Sequence, residues 1–184
     1  MASFPTAVFR TPNRAFAGQI ANGRADRVDS KYVAAGAPNV SAGRFVTFHN
    51  GDGGLAVRVP TVASEVQTKR ACGVVVLDVT RQPTPGTAEL AYIAGETLAV
   101  MRQGEIWVIV EEAVDPSSPV YVRITESSGG AADQGAFRAS AASGAAIYCE
   151  GLSYGDTAGI GGLVPLRVNL PGAWVTTGPT GPTA

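Results

Sequence analysis

Histidine and cysteine are almost missing from this chain: one His and two Cys in 184 residues. A single histidine, His49, and two distant cysteines, Cys72 and Cys149, provide neither the ligand set of an ordinary zinc site nor a disulfide framework. The thiols read as two small buried hydrophobes, and a disulfide between them is unexpected in a reducing compartment. Charge is also scarce. Asp, Glu, Lys and Arg make up 16% of the chain, well under the usual quarter or so, and the formal net charge is −1. There is no basic stripe to neutralise phosphates, so electrostatic binding to nucleic acid has little support. No apolar run is long enough to span a membrane. The opening MASFPTAVFRTPNR lacks the apolar centre of a signal peptide. Such a chain is expected to stay in the cytoplasm unless an assembly carries it elsewhere.

What is present is a hydrophobic content of 45% with 23 Gly and 12 Pro, a profile that suits short strands joined by turns. The clearest pattern runs from Tyr92 to Thr125. It predicts strands over Thr97 to Arg102, Glu105 to Glu111 and Val120 to Thr125, with a hairpin turn at Gln103-Gly104. Ile106, Val108 and Val110 alternate with Trp107, Ile109 and Glu111. Val120, Val122 and Ile124 alternate with Tyr121, Arg123 and Thr125. A period of two puts alternate side chains on opposite faces, so this meander buries one face. Upstream, Gly43 to Phe48 and Leu55 to Val59 flank a Gly-rich turn at residues 49–54 and read as a hairpin ended by Pro60. Gly73 to Val79 is the most continuously apolar stretch and predicts a central strand. Gly135 to Ser140 and Ala145 to Cys149 are weaker strands. Leu163 to Leu170 is the last, with Pro165 marking an edge or bulge. Many short strands without a long helical period predict an all-β fold, a compact β-barrel or β-sandwich with an extended N-terminal arm.

The expected division is an arm over residues 1–40, a β-barrel or sandwich domain over 41–172 and a flexible tail over 173–184. The tail carries two Gly-Pro-Thr triplets, too few for a collagen helix, and reads as polyproline-like. In the first forty residues, Phe4, Phe9, Phe16, Ile20 and Tyr32 recur at wide intervals among Pro, Gly, Asn and Arg. Neither a helical nor a strand period is sustained there, yet the segment is too apolar for a solvated tail. Two readings follow: a strand and loop that pack back on their own domain, or an extended arm that lays its aromatics on a neighbouring protein. In the second, each buried Phe contributes about 1.5–3 kcal/mol before ordering costs.

No catalytic constellation emerges, no cofactor or metal site is expected, and the chain does not read as an enzyme. His49 sits at a turn edge with no Ser or Cys nucleophile in a recognisable setting. Asn50 to Gly54 carries calcium-loop residue types, but the twelfth position from Asn50 is Thr61 instead of Glu, and a hairpin turn explains it. The glycines between Gly151 and Gly162 lack the strand-to-helix setting of a phosphate cradle. Glu111, Glu112 and Asp115 form an acidic cluster, but adjacent glutamates on a strand point to opposite faces, so a solvated strand end is expected. Trp107 and Tyr121 remain as candidate interface aromatics or as a sugar-stacking platform.

Four stretches carry a family likeness. They are Phe16-Ala17-Gly18-Gln19-Ile20-Ala21 with Arg27-Val28-Asp29-Ser30; Ala42-Gly43-Arg44-Phe45-Val46; Gly95 to Val100 leading to Gln103 to Val108 and on to Val120-Tyr121-Val122-Arg123; and Gly135-Ala136-Phe137-Arg138. Through them, from residue 16 to about 170, the chain resembles the capsid cement, or decoration, proteins of tailed bacteriophages. The resemblance implies a β-barrel or sandwich on the outside of a phage head, bound to the major capsid protein. It further implies a homotrimer near a three-fold position or, less often, a homodimer at a two-fold; host cytoplasm is the expected site of assembly, and the charge and hydropathy above lead to no expected nucleic-acid or membrane partner. The physics agrees: a fastener needs a rigid, chemically inert body, and symmetric copies sum weak contacts into tight attachment. The competing classes are a carbohydrate-binding or adhesion module, suggested by Trp107 and Tyr121, and a tail or baseplate β-domain.

Overall fold

The computed structural model describes residues 15–49, 53–67, 71–80, 91–126 and 134–170, with backbone alone at 22–26 and 67. Its strands are β1 (Ile20–Val33), β2 (Val40–Ser41), β3 (Phe45–Phe48), β4 (Ala56–Arg58), β5 (Ala71–Val75), β6 (Ala91–Tyr92), β7 (Thr97–Ile109), β8 (Tyr121–Arg123), β9 (Phe137–Arg138), β10 (Ala146–Tyr148), β11 (Leu152–Tyr154) and β12 (Leu163–Asn169). One short helix, α1 (Ala63–Gln67), follows β4. The main sheet runs β1-β4-β3-β5-β7-β12-β11, and β1 also pairs with β7. The strands β1, β4, β3, β5 and β7 therefore close on themselves as a small barrel, and β12 and β11 extend the sheet beyond the closure. A second sheet, β10-β8-β9, and a two-stranded β2-β6 ribbon complete the fold.

The expected hairpin at Gln103-Gly104 does not form. β7 passes straight through these residues as one long strand, antiparallel to β1 on one side and to β5 and then β12 on the other. Gly104 takes φ of 134° at the point where β7 leaves the barrel, so it serves as a bend and not as a turn. The even-numbered column of β7 then serves two interiors. Leu98 and Val100 face the barrel core with Val33, Val40, Val46, Val57, Cys72, Val75 and Tyr92. Ile106, Val108 and Val110 face a second core, with Val120, Val122, Phe137, Tyr154, Val164 and Leu166.

β5 is the wall between these cores. Ala71 and Val74 belong to one and Cys72 and Val75 to the other, and all are buried. That accounts for its unbroken apolar sequence, because a strand covered on both faces has no polar side. The strand starts at Ala71 and ends at Val75; Val79, expected within it, is 83% exposed. Gly73 lies where β5 meets β7 so closely that a Cβ there would stand 2.1 Å from the Met101 carbonyl oxygen. On β3, Phe45 points to the second core, where it meets Phe137 edge-on at 6.5 Å, and Val46 points into the barrel.

The hairpin of β3 and β4 is as expected, with Phe48 opposite Val57. Residues 20–33, expected in the arm, are β1, a full wall of the barrel. Register shifts between Ile20 and Val28 explain why no strand period shows in this stretch, since each bulge resets the alternation. Residues 1–14, with Phe4 and Phe9, and the tail lie outside the described residues.

Candidate interaction surface

On the outer side of the β7–β12 pair, directly opposed residues share a face. Trp107 stands opposite Pro165, Ile109 opposite Leu163 and Glu105 opposite Arg167. Their alternate neighbours Ile106, Val108, Val164, Leu166 and Val168 fill the second core, so this outer row is fixed by the pleat and not by local preference. The result is a partly covered apolar strip, with Pro165 buried and Trp107 and Leu163 half-buried, and an ion pair at one end, Arg167 Nε lying 3.7 Å from Glu105 Oε1. Ile109 is 51% exposed, and Ile160, in the turn before β12, is 80% exposed. Sheet faces turned to water carry polar residues as a rule, so this strip is anomalous for an isolated subunit.

The chain enters beside this strip. Phe16 is 61% exposed. The next residues are clamped: the Gly18 amide donates to the Trp107 carbonyl at 2.7 Å, the Leu77 amide to the Gly18 carbonyl at 2.7 Å, and the Trp107 amide to the Gln19 carbonyl at 2.8 Å. Gly18 is held at φ of 82°, and a Cβ there would meet the Gly43 and Leu77 nitrogens at 2.8 and 2.9 Å, so only glycine fits. Of the other residues expected on the arm, Ile20 packs against the second core and Tyr32 lies half-buried in β1, paired with both Ala56 and Thr97. Both belong to the body of the subunit, which puts the start of that body before Ile20 and not at residue 41.

Trp107 and Tyr121 are not brought together. They sit in different sheets, and the cross-strand partner of Tyr121 is Tyr148, edge-on at 5.8 Å. No shared sugar platform exists between them.

Asp115 is exposed, as expected of a solvated strand end, but Glu111 and Glu112 are not. Glu111 accepts from Arg123 Nε at 2.8 and 2.9 Å and from Arg138 Nη1 at 3.3 Å. Glu112 accepts from Arg138 Nη2, from the Ser140 hydroxyl at 2.9 Å and from the Ala139 amide at 3.1 Å. The Tyr154 hydroxyl donates to the Arg138 carbonyl at 3.0 Å. Burial raises the Glu112 pKa, but the Ser140 and Arg138 hydrogen bonds and the Arg138 charge outweigh it, and the net shift is downward. The four charges alternate and neutralise one another, an arrangement that fixes β9 to the end of β7 and leaves no carboxylate free for proton transfer. Sequence reasoning missed it because the partners come from strands 12 to 28 residues away. The one available signal was Arg123 at an outward position of its strand, since Arg138 is itself buried.

His49 lies at the end of β3, where the hairpin turn begins; its amide donates to the Ala56 carbonyl at 2.9 Å. Among the described residues no group of three or more His, Cys, Asp or Glu is placed to hold a metal ion, and no helix is long and apolar enough to cross a membrane.

Compared with known proteins, residues 4–169 match the family described as "Structural cement protein (E217 gp24/Pam3 gp6)". No curated protein matches the chain. Among solved structures, a chain from the capsid of Myoviridae phage XM1 has the same fold, with a TM-score of 0.63 at 21% identity, over 91% of this chain and 98% of that one. With the family match spanning both cores and the clamped entry, the chain belongs to the phage structural cement proteins.

Proposed function

We propose that this cement protein binds the outer surface of a phage head and stabilises contacts between capsomers of the major capsid protein. Two parts do the work: the leader with Phe4, Phe9 and Phe16, and the apolar strip of Trp107, Ile109, Leu163 and Ile160. The observation that carries this reading is the family match over residues 4–169, which takes in most of the leader as well as the body. The geometry supports it further: Phe16 is 61% exposed, and, two residues on, the Gly18 amide donates to the Trp107 carbonyl, which ties the chain's entry to the strand that carries the strip. Tyr121, with Tyr148, is a secondary contact on the other sheet. The copies form a trimer on a three-fold position, where each bound sister raises the effective concentration of the next contact. The protein acts by adhesion and carries out no chemistry.

The test is addition of the purified protein to expanded empty shells that lack it, read by co-sedimentation. Deleting residues 1–14 and, separately, Ile109→Asp are each expected to weaken addition about tenfold or more, as burial of one large apolar side chain contributes about 1.5–3 kcal/mol. Failure of the wild-type protein to add to any shell refutes the reading. Normal addition by Ile109→Asp removes the strip from it.

A further inference from the structure

The barrel is not apolar to its end. The inward column of β7 continues from Leu98 and Val100 to Arg102. Across the β1–β7 ladder Lys31 stands opposite Leu98 and Asp29 opposite Val100, so both share the barrel side. Arg27 Nε lies 3.2 Å from Asp29 Oδ1, and Arg102 Nη1 lies 3.7 Å from Asp29 Oδ2. Phe48, which packs against the barrel core, has Lys31 Nζ 5.2 Å from its ring centre and the Arg102 guanidinium carbon at 5.7 Å. One barrel mouth thus gathers the cations of Arg27, Lys31 and Arg102 around one carboxylate and one aromatic ring.

Arg102 is the informative member. It is only 9% exposed, as is Arg138. Arg58 and Arg138 also have an unpaired Nε, but their terminal nitrogens reach carboxylates, on Glu65 and on Glu111 and Glu112. Arg102 has an unpaired Nε too, and its one carboxylate contact, at 3.7 Å, is beyond hydrogen-bonding distance. The Phe48 ring balances part of its charge but accepts none of its N–H groups. Asp29 is held closer by Arg27. Lys31 spends one donor on the Gly54 carbonyl at 2.8 Å and keeps two. A guanidinium is a planar fork of donors shaped for an oxyanion, and leaving its buried Nε unpaired is costly.

We infer that this barrel mouth is an oxyanion-binding site, in which a carboxylate or phosphate group docks on Arg102 and Lys31 beside Phe48. The site is distinct from the apolar strip and recognises its ligand by charge and fork geometry alone. Two sources offer this chemistry: an acidic side chain of the capsid partner, or free inorganic phosphate.

The experiment titrates inorganic phosphate into the full chain at constant ionic strength, following binding by calorimetry and amide resonances of β1 and β7. Saturable binding is expected, with a melting temperature raised by phosphate but not by equivalent chloride. Arg102→Gln and Lys31→Gln are each expected to weaken it about tenfold or more. Lys31 is half-buried, so Lys31→Gln keeps the test open should Arg102→Gln fail to fold. If phosphate also competes with addition to shells, the natural ligand is a partner carboxylate; if shell addition is indifferent to phosphate, it is the free anion. Both results keep the site. No saturable binding by the wild-type chain, or undiminished binding by the folded variants, overturns it. Normal shell addition alongside that result leaves the capsid role intact.

Discussion

Gly73→Ala is the sharpest test of the two-core architecture. The added Cβ would stand 2.1 Å from the Met101 carbonyl oxygen, 2.8 Å from Val100 Cγ1 and 3.0 Å from the Met101 carbonyl carbon. An ordinary carbon–oxygen contact is about 3.3 Å, so β5 and β7 must part by roughly 1 Å. The obstacle is backbone and cannot rotate away. Parting the strands disturbs the pairs Val74–Met101 and Val75–Val100, whose side chains lie in different cores, so both interiors open together. Overpacking of this kind costs about 1–3 kcal/mol, and each ladder hydrogen bond weakened adds about 1. The expected loss is roughly 3–5 kcal/mol, a large share of the ~5–15 kcal/mol that holds a domain together. Gly95→Ala is the control. Gly95 has φ of 84° and nothing within 4 Å, so only the backbone cost of about 1–2 kcal/mol applies. Urea unfolding followed by circular dichroism gives both values. Should the two variants differ by less than about 1 kcal/mol, β5 is not the tight wall described above.

Acid should destabilise the protein in a defined window. Glu65 is buried, which raises its pKa, but the Thr61 amide, the Arg58 hydrogen bond and the Arg58 charge outweigh burial, so its folded value lies below the ordinary 4.5, as does that of Glu112. A depressed folded pKa contributes stability that is present above 4.5 and lost as pH falls through the folded value. Melting temperature should therefore be flat from pH 7 to about 5, as far as these carboxylates govern it, and fall below about 4.5; Glu65→Gln, less stable at neutral pH, should show a shallower fall. Glu112→Gln leaves the buried Arg138 short of a carboxylate and should cost about 2 kcal/mol in urea unfolding, discounted for the 28% exposure of the Glu112 side chain; a loss under about 0.5 kcal/mol would mean solvent already screens the pair. Burial pushes the Cys72 thiol up to about 12 and the Cys149 thiol higher still. Neither should react with a thiol reagent in the folded protein at pH 8, and both should react in urea; rapid native labelling would show that the cores open readily.

Much of the fold was legible where a single face or both faces of a strand are buried. Val120, Val122 and Ile124 alternate as read, and the apolar run from Gly73 announced a central strand, though β5 takes only Gly73 to Val75 of it and starts at Ala71. β1 was illegible because its bulges erase the alternation, and its stability comes from the long β7 ladder rather than from its own residues. Gln103-Gly104 misled for a related reason: glycine marks a bend as readily as a turn, and only the continuing pairing with β12 distinguishes them. The outward positions of Trp107 and Ile109 were visible from parity alone. The Glu111–Arg138 and Glu112–Arg138 pairs, and the gathering of Lys31 and Arg102 at one mouth, depend on which strands meet, and one strand's sequence does not carry that.

The clamp at Gly18 has a mechanical consequence. The chain turns over Phe16 to Gln19, the Gln19 amide donating to the Phe16 carbonyl at 3.0 Å, before it enters β1, and the clamp ties that turn at once to Trp107 on β7 and to Leu77 beyond β5. Behind the clamp, β1 lies antiparallel to β7 out to Tyr32. Load applied along the axis of β1 strains the rungs in shear, many sharing the force together, whereas peeling from an edge would break them one at a time. A tether built this way resists rupture best when tugged lengthwise and yields most easily when lifted sideways.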